Sequence, residues 1–202
     1  MSTEITERVE RGRGRPRSPE ADRAILDAAV AQLADVGYLG LTIEGVAARA
    51  GVSKATLYRR HPSKIALVAA AATRERDVRL PDLDTGSFRG DLVALTRHGT
   101  DMMFGSGGLW GRVLPGMLAE AADDPQVAAV VRTFFSWRSE AVRQIVARAI
   151  ERGEVRPETD PDLVFDLVSG PLLVRLMVTG QPLDDRFAEA LVEEVIEGVG
   201  AR

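Results

Sequence analysis

The chain has no cysteine, few aromatic residues and only two histidines, and these shortages exclude several kinds of site. Without cysteine among 202 residues it can form no disulfide, no thiolate metal site and no cysteine nucleophile. The histidines, His61 and His98, stand far apart, and neither has a metal-ligand spacing around it. No glycine-rich phosphate loop follows a strand-like segment, and no nucleophile elbow is present. We therefore expect no metal, no cofactor and no enzymatic activity.

Long uninterrupted hydrophobic runs are also missing. The most apolar stretch, residues 163–178, is interrupted by Asp166, Gly170, Pro171 and Arg175, which argues against a membrane span. The N-terminus is polar and rich in arginine, unlike a secretory signal. We expect a soluble cytoplasmic protein without a membrane partner.

Charge is distributed unevenly along the chain. Residues 1–80 hold 14 Lys and Arg against 10 Asp and Glu, which leaves a net charge of +4. Residues 81–202 hold 12 against 20, which leaves −8. A basic N-terminal part joined to an acidic remainder suits a protein that touches a polyanion at one end only.

Two short helices separated by a tight turn are predicted between residues 43 and 60. Gly51 suits the left-handed conformation that closes the first helix, and Ser53 is placed to cap the second. Leu57 can point inward while polar neighbours remain outside. Such a pair is typical of the helix-turn-helix, whose second helix enters the major groove of DNA. The apolar face of the first helix consists of Ile43, Val46, Ala47 and Ala50.

A resemblance to a known family is carried by the run GLTIEGVAARAGVSKATLYRRHPSKIALV. It resembles the DNA-binding domain of the tetracycline-repressor (TetR) family of bacterial transcription regulators. One departure is His61, where the family usually has Phe, Tyr or Trp. The resemblance implies a dimeric repressor whose fourth helix transmits a ligand signal to the DNA-binding part. The matching positions, which form a gapless pattern, are Thr42, Ala47, Gly51, Val52, Ser53, Thr56, Leu57, Tyr58, Ser63 and Lys64.

Candidate DNA contacts lie in two places. In the segment Arg11-Gly-Arg13-Gly-Arg15-Pro-Arg17, arginines alternate with glycine and proline, which favours an arm along a minor groove over a solubilising tail. The arm residues proposed for DNA are Arg13, Arg15 and Arg17. The candidates for base edges or flanking phosphates in the major groove are Lys54, Ala55, Thr56 and Arg59. The candidates that position the protein on phosphates are Thr42, Ser53, Tyr58 and Lys64.

The pattern elsewhere is helical, which predicts an all-α protein of about nine helices. We expect a disordered arm over 1–18, a helix-turn-helix domain (the head) over 19–64, a linking helix to about residue 80, and a ligand-binding and dimerisation domain (the body) over 81–202. The first helix should cover 19–36 and end at Gly37. Its core side chains, with those just after it, should be Ile25, Ala29, Leu33, Val36, Leu39 and Leu41. Body helices are expected near 88–104, 109–122, 126–152, 161–179 and 184–199.

The large apolar side chains of the body have two interpretations. For any single residue an ordinary helical core is favoured, whereas the resemblance favours a ligand cavity for the group. The implied ligand is small and largely apolar. The candidate pocket residues are Met102, Met103, Phe104, Trp110, Met117, Phe134, Phe135, Trp137 and Phe165. Polar residues that could orient a ligand are His98, Asp101, Arg138 and Arg175.

The last two predicted helices carry more apolar surface than one small body needs to cover itself. Two such helices from each subunit would form a four-helix bundle between the subunits of a homodimer. Pro171 lacks an N–H and removes the bond to the Leu167 carbonyl, so a kink is expected, serving either the dimer geometry or the pocket. The candidate interface residues are Leu163, Leu167, Gly170, Val174, Val178, Phe187, Leu191, Val195 and Val199.

Three functions fit the helix-turn-helix. The first is a ligand-responsive regulator that binds a palindromic operator as a dimer and is released by a small-molecule effector. The second is an architectural or recombinase-associated DNA-binding protein that senses nothing, for which the apolar, acidic body has no obvious use. The third is a module that binds another protein, which leaves the outward polar residues of the second helix unexplained. The first interpretation accounts for most of the sequence.

Overall fold

The computed structural model describes residues 19–75, 83–104 and 109–199, and within them the chain is all-α, as predicted. The predicted arm over 1–18, with Arg13, Arg15 and Arg17, lies outside the described residues, as does the expected end of the linking helix. The helices of the described ranges are α1 (Pro19–Gly40), α2 (Ile43–Arg49), α3 (Lys54–Arg60), α4 (Lys64–Glu75), α5 (Phe88–Phe104), α6 (Leu109–Glu120), α7 (Pro125–Glu151), α8 (Pro161–Val174) and α9 (Asp185–Val199).

Helix α1 is interrupted at Gly37, where the prediction ended it. The backbone there has φ 67° and ψ −174°, a conformation that favours glycine, and one more turn follows to Gly40. The break turns the chain, so the predicted burial of Val36 and Leu39 is wrong: they are 52% and 68% exposed. Tyr38 enters the core in their place.

The head and the body share one hydrophobic cluster. Leu33 of α1, Val46 of α2 and Leu57 of α3 are buried together with Val68 of the linking helix α4. The same cluster continues into α6 through Met117 and into α7. Burial of this continuous apolar surface packs the helices of the head against the body. The body members of the cluster are Leu109, Trp110, Val113, Met117, Val127, Val131 and Phe134.

A second cluster holds the far end of the body together. It joins α5, α7, α8 and α9 through apolar side chains such as Leu92, Ile145, Val168 and Val192. Asp91 is fully buried at its edge, where its carboxylate accepts hydrogen bonds from Thr85 and Arg152. These bonds satisfy a charge that would otherwise be costly to bury.

Helix α8 passes through Gly170-Pro171 and keeps α geometry to Val174. The irregular geometry lies further on, in a π-helical turn over Arg175–Thr179 that ends at Gly180 with φ 62°. Helical geometry thus continues through Pro171, and the kink expected there stays a prediction. Val168 and Leu172, on either side of the proline, are both buried, so core packing holds the helix where one backbone bond is missing.

Candidate functional site

Two side-chain caps hold the helix-turn-helix in shape. The hydroxyl of Thr42 accepts a hydrogen bond from the backbone N–H of Gly45 at 3.1 Å, at the start of α2. The hydroxyl of Ser53 accepts one from Thr56 N–H at 3.2 Å, at the start of α3. Between them Gly51 adopts φ 66°. The predicted caps and the left-handed glycine are thus confirmed, and they fix the angle between the two helices.

Helix α3 buries Leu57, half-buries Thr56 and Arg60, and exposes the other four residues. Leu57 is inaccessible to solvent, while Lys54, Ala55, Tyr58 and Arg59 are exposed. Within the described part of the chain Arg59 has no ion-pair partner, whereas Lys54 Nζ lies 2.9 Å from Glu44. That hydrogen bond lowers the pKa of Glu44. The free guanidinium and phenol face outward on the helix that enters the groove in other helix-turn-helix proteins.

Lys64, predicted to contact a phosphate, lies next to Tyr38 and Leu39 at the end of α1. Its amino group lies 4.2 Å from the centre of the Tyr38 ring and donates to the Leu39 carbonyl at 3.5 Å. Burial lowers its pKa, with the charge of Glu120 acting in the opposite direction. Lys64 is half-buried at the joint between head and body, and its contact with phosphate stays a prediction.

The joint itself is built from α1 and α6. Tyr38 donates a hydrogen bond to the Glu120 carboxylate at 2.9 Å, and Arg112 donates one to the Ala34 carbonyl at 3.0 Å. A Cβ at Gly37 would lie 2.9 Å from the Arg112 carbonyl oxygen, so this close approach also requires glycine. These contacts tie the position of the end of α1 to the position of α6.

An apolar cavity of about 270 Å³ lies between α4, α6 and α7. Four of the predicted pocket residues, Trp110, Met117, Phe134 and Trp137, line it. The ring of Trp110 is centred 4.5 Å from that of Phe134. Ala129 and Thr133 are exposed, so the cavity opens to solvent on their side. The lining residues that sequence analysis missed are Ala69, Ala72, Ala129, Val130 and Thr133.

The sequence gives only a weak indication that these additional residues line a cavity. Ala69 and Ala72 belong to an alanine-rich helix that predicts close packing but not an unfilled space. Val130, Thr133 and Trp137 recur at helical spacing on α7, but only the position of α4 opposite them defines a cavity.

The other predicted pocket residues lie elsewhere. Met103 is buried against the start of α6, where a Cβ on Gly111 would meet its carbonyl oxygen. Phe104 is 52% exposed at the end of α5. Phe165 packs on Phe135 and the second cluster, with ring centres 6.3 Å apart. Arg175 stacks on Phe187 of α9, its guanidinium carbon 3.8 Å from the ring centre. Residue type alone does not distinguish cavity-lining positions from other apolar positions, because all the helices here have an apolar face.

Arg138 and Met102 meet beside the cavity. The Arg138 guanidinium lies 4.7 Å from the centre of the Phe134 ring and donates to the Met102 sulfur at 2.8 Å. Burial lowers the pKa of Arg138 to about 10. The pKa of His98 is also lowered, by burial first and then by the charge of Arg138, while Asp101 opposes the shift.

The predicted interface residues divide between surface and core. Leu167, Val174 and Val178 of α8 and its π turn are exposed, Val178 by 78%. Val195 of α9 is only 4% exposed inside the second cluster, and Leu191 packs against that cluster, so both serve the core of the single chain. Met177, absent from the prediction, adds to the exposed apolar face. The predicted set also included Gly170 and Phe187, which are half-buried.

Two kinds of site are not found in the part of the chain that the structure describes. Over 19–75, 83–104 and 109–199 no group of three His, Asp or Glu side chains could hold a metal ion. None of the described helices is long and apolar enough to cross a membrane.

A capped recognition helix on a three-helix head, joined to an all-α body, defines a helix-turn-helix DNA-binding protein. Two family models match the chain: bacterial regulatory proteins of the tetR family over residues 25–71, and the tetracyclin repressor-like C-terminal domain over residues 82–195. The chain belongs to the tetR family of bacterial transcriptional regulators. It is accordingly a DNA-binding regulator and not an enzyme.

Similar proteins extend this match over most of the chain. YdeS, an uncharacterized HTH-type transcriptional regulator of Bacillus subtilis (strain 168), is 33% identical over 190 residues, 94% of each chain. The TetR family transcription regulator SCO0332 has a crystal structure with a TM-score of 0.71 and 34% identity, over 89% of this chain and 98% of that one. FadR from Bacillus subtilis, solved in complex with stearoyl-CoA, shares the fold with a TM-score of 0.71 at 16% identity, over 87% and 98%.

Proposed function

We propose that the protein is a repressor that binds a palindromic operator as a homodimer and is released by a small, largely apolar ligand. The observation that carries this proposal is the position of the cavity. Ala69 and Ala72 of the linking helix α4 form one of its walls, and Trp110 and Met117 of α6 form another. A ligand there touches both elements that join the body to the head.

The path from cavity to DNA is short and tightly packed. Helix α6 holds the end of α1 through the Tyr38–Glu120 and Arg112–Ala34 hydrogen bonds. Only three residues separate Arg60, the last residue of the recognition helix α3, from the start of α4. A ligand that binds better when α4 and α6 shift will favour a dimer with altered spacing of its recognition helices. By linkage, the ligand must then bind the DNA complex more weakly by the same factor.

The partner that covers the exposed apolar face of α8 is proposed to be a second copy of the chain. Leu163, Leu167, Val174, Met177 and Val178 form this face, and contiguous exposed apolar surface of this kind marks interaction sites. A two-fold axis across it would place two recognition helices on one side of DNA.

Contacts with DNA are proposed for the exposed face of α3 and its flanks. Arg59, with no carboxylate partner in the described chain, and Lys54, held only by an exposed ion pair with Glu44, suit base edges or phosphates. Tyr58 suits a phosphate, together with the capping residues Thr42 and Ser53. Arg13, Arg15 and Arg17 remain proposed for the minor groove.

A substitution that fills the cavity tests the proposal. Ala72→Leu adds a branched side chain to the cavity wall. The variant should still bind the operator, but compounds that release the unaltered protein from the operator should no longer release it. Ala70→Leu makes the same change two residues earlier on α4, outside the lining, and should respond normally. Equal release of both variants would show that the cavity is not the sensor, which would favour a DNA-binding protein that senses nothing.

A further inference from the structure

We propose that Arg138 binds the anionic head of the effector, so that the effector is an amphipathic carboxylic acid and not a neutral hydrocarbon. The inference rests on the proposed function, because it assumes that the cavity between α4, α6 and α7 receives the effector. It adds the chemical class of that ligand.

The surroundings of Arg138 leave its charge without compensation. The guanidinium carries five N–H donors, and the contacts it makes in the described structure are with the Met102 sulfur and the face of Phe134. Sulfur is a weak acceptor, and an aromatic face attracts a cation without neutralising it. Several donors therefore remain available on this half-buried side chain.

Other arginines of the body have a carboxylate close by. Arg97 lies 2.6 Å from Glu189, Arg143 lies 2.7 Å from Asp162, and Arg152 lies 2.7 Å from Glu154. Within the described ranges no carboxylate lies within 4 Å of Arg138, although the side chain is buried enough to lower its pKa. A buried cation without a counterion costs free energy that a bound anion would offset.

Arg138 borders the cavity without lining it, because its guanidinium lies 4.7 Å from the centre of the ring of Phe134, a lining residue. It lies one helical turn beyond Phe134 and directly follows Trp137, and both of these residues line the cavity. A ring or chain packed beside Trp110 and Phe134 can extend past the edge of the Phe134 ring to place a carboxylate on the guanidinium. Its planar donor fork suits the two carboxylate oxygens.

The charge of Arg138 itself favours an anion over a cation. His98 on α5 lies within the electrostatic influence of Arg138, which lowers the pKa of the imidazole in addition to the effect of burial. The carboxylate of Asp101 acts on His98 in the opposite sense, but its side chain is exposed. A ligand with a positive head would meet the uncompensated charge of Arg138 and be rejected.

Matched ligand pairs test this assignment directly. The full-length protein is titrated with 4-phenylbutyrate and 4-phenylbutyramide, and with decanoate and decanamide, which differ within each pair only in the charged head. Intrinsic fluorescence reports occupancy, because the two tryptophans of the chain, Trp110 and Trp137, both line the cavity. The acid of at least one pair should bind about tenfold or more tightly than its amide. In Arg138→Gln this preference should fall to about twofold or less.

Two control variants separate recognition from folding. Arg143→Gln removes an exposed arginine of the same helix and should keep the preference for acids. Arg138→Met should fold with an unchanged or higher Tm in the absence of ligand, because it removes an uncompensated charge. A markedly lower Tm in Arg138→Met would instead assign the guanidinium a structural role and contradict the inference.

The remaining outcomes are distinguishable from failure of the proposed function. Equal affinity for acid and amide, a preference that survives in Arg138→Gln, or no binding by either pair would overturn the inference. If a neutral compound releases the operator equally well from the protein and from Arg138→Gln, the proposed function holds and the inference falls. If acids bind through Arg138 but the operator stays bound, the inference holds and the proposed function falls.

Discussion

The phenol of Tyr38 donates a hydrogen bond to the carboxylate of Glu120 at 2.9 Å and so ties the end of the first head helix to a body helix that lines the cavity. Burial raises the pKa of the Tyr38 phenol, and the hydrogen bond and charge of Glu120 raise it further, so the phenol stays protonated and remains a donor. The aromatic ring meanwhile packs under the Lys64 amino group. One side chain thus contacts α4 and α6 together.

Removal of this hydrogen bond should weaken the coupling between ligand and DNA. Tyr38→Phe keeps the ring under Lys64 but loses the bond, and should lower the free energy of unfolding by about 1 kcal/mol. Urea denaturation gives this value, and operator release measured with and without ligand gives the coupling. A double-mutant cycle with Glu120→Ala should show a non-zero interaction term; strictly additive effects would mean that the two residues act independently.

The histidine that replaces the aromatic residue of the family should make the head sensitive to acid. Burial lowers the pKa of His61, with the Arg60 charge adding to the shift and Asp22 opposing it, and Nε2 is buried without a hydrogen-bond partner. A folded-state pKa below the unfolded value of about 6.5 means that the stability contribution is present above that pH and is lost as pH falls.

The variant His61→Phe isolates this effect, because it leaves His98 in place as a common background. Between about pH 7.5 and 5.5 the unaltered protein should lose more stability in urea denaturation than His61→Phe does. If both proteins lose the same free energy of unfolding over this range, the pKa of His61 does not differ between the folded and unfolded states.

Substitutions on the recognition helix should separate specific from general DNA contacts. Arg59→Ala should weaken operator binding by about 1–3 kcal/mol if the guanidinium reads a base. Tyr58→Ala should instead weaken binding to all duplexes alike and leave the dimer intact. Binding curves on an operator and a scrambled duplex measure both. Arg132→Ala, an exposed arginine of the body, removes the same charge as Arg59→Ala and should have little effect; an equal loss would indicate long-range electrostatics alone.

A charge placed on the exposed face of α8 should separate the proposed dimer. Val174→Glu and Leu167→Glu would bury carboxylates in an apolar interface, so sedimentation should show monomers at concentrations where the unaltered protein is dimeric. Leu39→Glu places the same charge on an exposed leucine of the head and should leave the dimer unchanged. If Val174→Glu still sediments as a dimer, this face is not the interface.

The features that could be predicted from sequence are those set by a few neighbouring residues. The Thr42 and Ser53 caps and the left-handed Gly51 are confirmed because each depends on backbone groups within three or four positions. The positions of Val36 and Leu39 were wrong because the path of the chain after Gly37 depends on contact with Arg112, 75 residues further on.

The candidate site also combines features set by neighbouring residues with features set by long-range contacts. The size and apolar character of Trp110 and Phe134 predict them as pocket residues. The alanines opposite them do not predict a cavity, because it forms only where α4 packs against α6 and α7. The contact between Lys64 and Tyr38 was equally hard to predict, because Tyr38 stands 26 residues earlier in the chain. Long-range packing, not local propensity, decides these positions.

Selection of bound duplexes from a random-sequence library tests the central claim most directly, followed by affinity measurements at about 50 and 200 mM salt. The account predicts enrichment of an inverted repeat whose half-sites lie about one helical turn apart or slightly more, bound about 10³-fold or more tightly than a scrambled duplex. Affinity should fall steeply with salt on both duplexes. If no inverted repeat is enriched and both duplexes bind equally, or if neither binds at low salt, the protein does not act as a dimeric operator-binding regulator.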